Sequence, residues 1–316
     1  MRSVIVPRVL SAIPVLFVVS VVTFLLMWLV PGDVASQIAG PDASAAELAA
    51  IRERLGLDRS IFEQALIWYG NLFKGDLGQS YVLNRSVVDA VIERLPVTLS
   101  LTFLALVLAI VFGFVLGVVA AANHNSWIDQ LTMTGALIGL SLPDFWFGLV
   151  LIFFFAVELG WFPTGGYVPL AEDPIGWLNA MTLPAMTLAL TQMGVIARMV
   201  RSSMLEQLGQ DYVRTARAKG MPGHVVLFKH ALRNALIPVV TLIGIMTGLL
   251  LGGAVVIEVV YSLPGVGRLI IGAIQNRDYP IVQGGLLLTA AIFVFVNIAV
   301  DILYTFIDPR VRHGKQ

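Results

Sequence analysis

Six apolar runs, each near or above twenty residues, constrain this chain more than any other feature. They fall at about 9–30, 97–122, 131–157, 181–203, 234–257 and 281–306. About twenty consecutive apolar residues form a helix long enough to cross a bilayer. The backbone inside lipid must satisfy its own hydrogen bonds, which leaves helices or closed barrels. Runs of this length read as helices. The expectation is an all-α polytopic membrane protein with about six transmembrane helices. Pro143 and Pro184 interrupt the third and fourth runs, so breaks are expected there. Composition agrees: 58% of the 316 residues are hydrophobic and 13% are charged, with mean hydropathy +0.86. Soluble domains carry about one quarter charged residues.

An even number of spans places both termini on one side. Arg2 and Arg8 precede the first run, and Arg310, Arg312 and Lys315 follow the last. Positive charge in short segments marks the cytoplasmic side, so both ends are expected there. The first run is longer than the ~7–15-residue core of a signal peptide and reads as an uncleaved span. The segment 159–180 has no Lys or Arg but holds Glu172 and Asp173, which fits the outside. The segment 123–130 should be cytoplasmic, yet its only ionisable residues are His124 and Asp129.

The boundaries expected from these runs are a cytoplasmic start and first span over 1–30, an external segment over 31–96, a core of five further spans over 97–308, and a cytoplasmic tail over 309–316. The external segment is polar, with six basic and nine acidic residues. Ser44-x-x-Glu47 and Ser60-x-x-Glu63 read as capping boxes opening helices. Phe62, Ala65, Leu66, Tyr69, Leu72 and Phe73 then recur at helical spacing. Val88, Val91, Ile92 and Leu95 form a further stripe leading into the second span. Such helices can cap the span ends, offer a docking surface to an external partner, or do both.

A basic, polar island lies between the fourth and fifth runs. Seven Lys/Arg and two acids, Glu206 and Asp211, occur from Arg198 to Arg233. By the same charge rule this loop is cytoplasmic. Gly220, Pro222 and Gly223 interrupt a helical pattern carried by Val213, Ala216, Val226, Leu227 and His230. The pattern reads as helix, turn, helix within a loop over 204–233. A basic cluster can also simply anchor to anionic headgroups. The turn glycines and interleaved apolar residues point instead to a protein partner.

This island carries a family resemblance. Asp211-Tyr212-Val213-Arg214-Thr215-Ala216-Arg217-Ala218-Lys219-Gly220 and His230-Ala231-Leu232-Arg233-Asn234 resemble the coupling loop of membrane subunits of ABC importers, in the dipeptide/oligopeptide/nickel permease branch. Pro31-Gly32-Asp33, Ser141-Leu142-Pro143-Asp144-Phe145-Trp146, Leu263-Pro264-Gly265-Val266-Gly267-Arg268 and Asp308-Pro309-Arg310 extend the likeness along nearly the whole chain. The general loop pattern has Glu-Ala-Ala followed by Gly; here Arg214, Thr215, Ala216 and Gly220 stand in those places, so the acid is absent, and Pro238 lies further from the Gly.

The resemblance implies half of a translocation pathway completed by a second, homologous permease. Two ATPase subunits would drive it, using ATP and Mg that this chain does not bind. An external solute-binding protein would deliver substrate, and membrane lipid would surround the spans. The loop contacts to the ATPases would come from Asp211, Tyr212, Arg214, Thr215, Ala216, Arg217, Ala218, Lys219, Gly220, Pro222, His230, Arg233 and Asn234. Di- and oligopeptides are the first substrate expected. Nickel or its chelates, glutathione, opines and sugars stay open.

Other residues bear on the path. Asp144 and Asp301 are the two clear ionisable groups inside the runs. A mid-membrane charge is costly and usually faces a cavity or a partner. Asp144, with Ser141, Phe145 and Trp146, is a candidate for the path; satisfaction of local backbone N–H groups is the alternative. Tyr261, Pro264, Gly265 and Gly267 belong to a stiff, turn-rich external loop that either connects spans or dips over the mouth of the path. Gly113-x-x-x-Gly117 and Gly244-x-x-x-Gly248-x-x-x-Gly252 mark faces where helices can approach closely, within the chain or against a second permease.

Several function classes are disfavoured. The chain has no cysteine, which removes disulfides and thiol chemistry. No Walker A sequence occurs, so ATP hydrolysis by that route is absent. The four histidines have no acidic neighbour at metal-binding spacing. Zero formal net charge argues against nucleic acid. A proton-coupled transporter working alone is the rival class, but two scattered carboxylates make a poor relay. A receptor-like membrane protein without transport is a second rival.

Overall fold

The computed structural model describes residues 2–29, 34–40 and 43–307. Among them the regular structure is helical: α1 (Arg2–Leu29), α2 (Val34–Ala39), α3 (Ala45–Leu55), α4 (Ile61–Leu72), α5 (Val87–Ala122), α6 (Trp127–Ser141), α7 (Asp144–Leu151), α8 (Pro174–Leu208), α9 (Asp211–Ala218), α10 (Gly223–Val225), α11 (Leu232–Val260), α12 (Val266–Gln275) and α13 (Tyr279–Ile307). Wider, π-type turns continue α7 over Ile152–Glu158 and join α10 to α11 over Val226–Ala231. Pro31-Gly32-Asp33, Asp308-Pro309-Arg310 and the basic tail lie outside the described residues, as do the side chains of Arg2, Arg8 and Asp301.

Among the described residues, four helices are long and apolar enough to cross a membrane, over 87–122, 174–208, 238–260 and 279–299, and the pair α6–α7 makes a fifth if counted as one span. The first expected span is a helix over Arg2–Leu29, whose apolar stretch among the described side chains runs from Leu10 to Leu26.

The two prolines behave differently. At Pro143 the helix breaks and turns by 106°. Leu142, forced out of the helical region by the proline that follows it, has ψ 134. Pro143 itself has ψ 132. At Pro184 the expected interruption does not occur: α8 runs unbroken from Pro174 to Leu208. Neighbouring helices can compensate the single hydrogen bond that such a proline removes, and Pro184 is buried among them. Asp173, counted above as an external charge, caps α8 by accepting from the Ile175 N–H at 3.0 Å, ahead of Pro174 at the first helical position.

The chain divides into two compact units, Met1–Pro96 with Gly265–Phe295 and Val97–Pro264 with Val296–Gln316.

In the first unit both capping boxes form. Ser44 and Ser60 accept from the backbones of Glu47 and Glu63, whose carboxylates bond back. These bonds, backbone first, hold the Glu47 carboxyl below its ordinary pKa. An apolar cluster joins Val87, Ala90 and Val91 to Val266, Leu269, Ile270, Ala273, Ile281 and Val282. The stripe into the second span therefore turns inward on Val87, Ala90 and Val91, while Ile92 is exposed; a one-residue change of register rotates a helix face by about 100°. Asp278, buried between α12 and α13, accepts from the Ser80 hydroxyl and from the N–H groups of Tyr81 and Val82. These bonds tie residues 80–82 to a segment almost two hundred positions away. Burial, with Asp278 adding to it, raises the Tyr81 pKa.

The second unit is built around α8, which packs on α6, α7 and α11. Gly113 and Gly117 of α5 let its backbone approach α8. A methyl group at Gly113 would lie 2.8 Å from Ile196 Cβ, and one at Gly117 2.6 Å from Val200 Cβ. That pair thus packs within the chain. The second glycine series is mixed: Gly248 faces Asn297, whereas nothing lies within 4 Å of a side chain added at Gly252.

Candidate functional site

The basic island folds as an ordered helical hairpin. Asp211–Ala218 is amphipathic, with Val213 and Ala216 buried on Val226, and Leu208 packed beside them. The end of this helix is set by Gly220, whose φ of +76° is strained for residues with a Cβ. Gly220 N–H donates to the Arg217 carbonyl at 2.9 Å, and Met221 N–H to the Ala216 carbonyl at 3.2 Å. This is the paired bonding of a Schellman cap, which satisfies carbonyls that a helix end leaves free. Pro222 then opens the second helix; the N–H groups of Val225 and Val226 donate to its carbonyl. That helix continues through the wider turns into α11 without a break.

Tyr212 fastens the hairpin. Its hydroxyl lies 2.9 Å from Gln207 Oε1 and 3.3 Å from the His230 carbonyl oxygen, and it accepts from Asn234 Nδ2 at 3.1 Å. One residue of α9 thereby connects the end of α8 to the start of α11. The outer surface presents Arg214, Thr215, Arg217, Ala218, Lys219, Gly220, Met221, Pro222, His224, Phe228, Lys229 and Arg233, all exposed. Asp211 is exposed beside Arg214. Of the expected loop residues, Ala216 faces inward and His230 is half-buried. Met221 and Phe228 add apolar area to the basic surface; the sequence reading missed them because neither keeps the helical period of the buried face.

The broken span places its residues less simply. Asp144 begins α7, and its Oδ1 accepts from the Thr191 hydroxyl of α8 at 2.5 Å. The carboxylate therefore has a hydroxyl partner on another helix, in place of the local backbone N–H groups that the sequence offered as the alternative to the path. Ser141 bonds back to the Leu137 carbonyl, and Phe145 and Trp146 are about half exposed. One turn further on, Tyr261 joins the same seam. It stands in the turn after α11, as expected from the sequence, but is buried at 1% exposure, so the turn faces inward at this residue. Gly265 and Gly267 also change character: Gly265 caps α12 and Gly267 lies inside it, leaving Tyr261 to Pro264 as the turn.

Besides Asp278, two more buried acids had no structural role assigned from the sequence. Glu258 is fully buried and accepts from Thr98 Oγ1 at 2.5 Å. It sits one position past the expected end of the fifth run. Asp129 is buried and paired with Arg201 of α8, Nε to Oδ1 2.5 Å, with His124 Nδ1 3.4 Å from its other oxygen. The segment that lacked any Lys or Arg draws its cation from another helix.

This is the permease class: a polytopic helical protein with a broken span and a capped basic hairpin continuous with the following span. Residues 113–313 match the family described as binding-protein-dependent transport system inner membrane component, and residues 1–102 match its N-terminal companion. The chain belongs to that family. Among its relatives, a putative peptide transport system permease protein of Brucella abortus (strain 2308) is 50% identical over 99% of this chain and 100% of its own length. The glutathione transport system permease protein of Escherichia coli (strain K12) is 43% identical over the same shares. In fold, the chain is similar to the MetNI methionine ABC transporter in an inward-facing conformation, with TM-score 0.57, 20% identity, and coverage of 70% of this chain and 97% of that one. The protein is a multi-pass inner-membrane permease of an ABC importer, works with ATPase and permease partners, and is not itself an enzyme.

Proposed function

We propose that this chain forms half of the pathway through which di- and oligopeptides enter the cell. A second permease supplies the other half, and two ATPase subunits use ATP and Mg on the cytoplasmic side, where both termini and the hairpin lie. An external solute-binding protein delivers the peptide. The full-length likeness to permeases named for peptide and glutathione transport supports the substrate class, glutathione being itself a tripeptide.

The observation that carries the mechanism is the Schellman-capped hairpin seated on Val213, Ala216 and Val226 and continuous with α11. ATPase closure must reach the spans through a stiff element. A shift from 1:99 to 99:1 between two states needs about 5.5 kcal/mol of differential binding. A helix fixed at both ends can transmit that; a loose tether cannot. In the assembled transporter, Gly220→Arg, or deletion of 221–223, abolishes peptide uptake while the chain still inserts and the ATPases still bind. Normal uptake in either variant would remove the coupling role. Uptake by the purified chain alone, driven by a proton gradient, would reverse the class.

A further inference from the structure

The α4 helix has two unlike faces. At 3.6 residues per turn, Phe62, Leu66, Tyr69 and Phe73 fall within about 60° of one another. Phe62, Leu66 and Phe73 are 84%, 77% and 88% exposed. On the other side, Gln64 and Asn71, with Ile67 and Trp68, line an open cavity of mixed character, about 640 Å³, that also takes in Arg54, Arg59 and Asp76. The helix thus turns its polar side chains Gln64 and Asn71 to the cavity and leaves Phe62, Leu66 and Phe73 bare on the other side.

Its position says what covers the bare face. Trp68 and Tyr69 pack on Phe24 of α1, ring centroids 5.8 and 6.4 Å apart, and the Tyr69 hydroxyl is 3.2 Å from Ser20 Oγ. At 1.5 Å rise per residue, Phe24 and Ser20 lie only about 7 and 13 Å from the end of α1. Half of the hydrocarbon thickness is about 15 Å. Both contacts therefore fall alongside the membrane-crossing part of α1, whose Ile13, Phe17, Val18 and Val22 are themselves exposed apolar groups. Arg59, which also borders the cavity, and Lys74 are exposed cations at the two ends of α4, the arrangement that suits a helix lying at headgroups. Trp and Tyr favour the same boundary.

We propose that α4 is a membrane-interface helix, with Phe62, Leu66 and Phe73 seated among phospholipid acyl chains and its polar face turned to the cavity. It anchors the first unit against the bilayer. This rests on α1 crossing the membrane, not on the substrate or the coupling reading.

The chain has no cysteine, so single-cysteine variants Phe62→Cys, Leu66→Cys and Phe73→Cys can carry a nitroxide at positions already exposed. Arg54→Cys and Asn71→Cys serve as wet-face references. The labelled, fully assembled transporter, with thiol-free partners, is placed in phosphatidylethanolamine/phosphatidylglycerol vesicles. Collision with oxygen, which partitions into acyl chains, is compared with collision with a neutral nickel chelate, which stays in water. At 62, 66 and 73 oxygen collision should exceed nickel collision several-fold, with the reverse at 54 and 71. Nickel-dominated collision at all three overturns the proposal in favour of a solvated face. Low collision with both reagents overturns it in favour of a protein cover, such as the second permease.

Discussion

The Tyr261 hydroxyl lies 2.8 Å from Thr187 Oγ1 and donates to the Gly148 carbonyl at 3.1 Å. Thr187 is one turn from Thr191, and Gly148 one turn from Asp144, so a single polar seam runs between α7 and α8 with Tyr261 at one end and Asp144 at the other. It holds the half-span after the Pro143 break against α8.

Removing the hydroxyl tests the seam. Interhelical hydrogen bonds in membranes contribute about 0.6 kcal/mol on average and up to about 1.7. Tyr261→Phe should lower the thermal midpoint of the detergent-solubilised complex by a corresponding small step. Tyr261→Ala, which also empties a buried ring site, should cost about 3–5 kcal/mol. Equal effects of the two would show that the hydroxyl contributes nothing.

Asp144→Asn separates two roles. As part of the path for the amino end of a peptide, it should reduce uptake of amino-ended peptides selectively and spare N-acetylated ones. Thr191→Val removes its hydroxyl partner and should leave that selectivity in place. Wild-type uptake of both substrates by Asp144→Asn would make the carboxylate structural.

The Asp129–Arg201 pair is buried on the acid side. Arg201→Ala leaves a desolvated carboxylate, and breaking such pairs costs about 3–5 kcal/mol; the partial exposure of Arg201 places the result at the low end. Asp129→Asn with Arg201→Gln should restore much of the loss, read as recovery of monodisperse protein after extraction.

Close approach at Gly117 gives a sharper contrast. Gly117→Leu would drive a side chain into Val200 and the Ala197 carbonyl, so folded protein should fall steeply. Gly252→Ala meets open space and should keep the fold; size-exclusion profiles of the two variants decide.

Tyr212→Phe should leave insertion intact, because the residue is exposed. By freeing α9 from Gln207 and Asn234 it should lower peptide transported per ATP hydrolysed. An unchanged ratio would assign the stiffness of the hairpin to the Gly220 cap and its apolar cluster alone.

The helical class, the Pro143 break, both capping boxes and the hairpin of the basic island were legible because each depends on neighbours in sequence. Apolar length, the conformation imposed before a proline, a serine three residues ahead of a glutamate and a glycine after an amphipathic turn act over a few residues. The rest needed the tertiary structure. Pro184 stays inside a helix because surrounding helices compensate its missing N–H. Tyr261 became a buried connector because α7 and α8 surround it. Asp129 found Arg201, Glu258 found Thr98 and Asp278 found Ser80 across 72, 160 and 198 positions. No local periodicity encodes such partners, because a buried carboxylate is satisfied by whichever donor packing brings within reach.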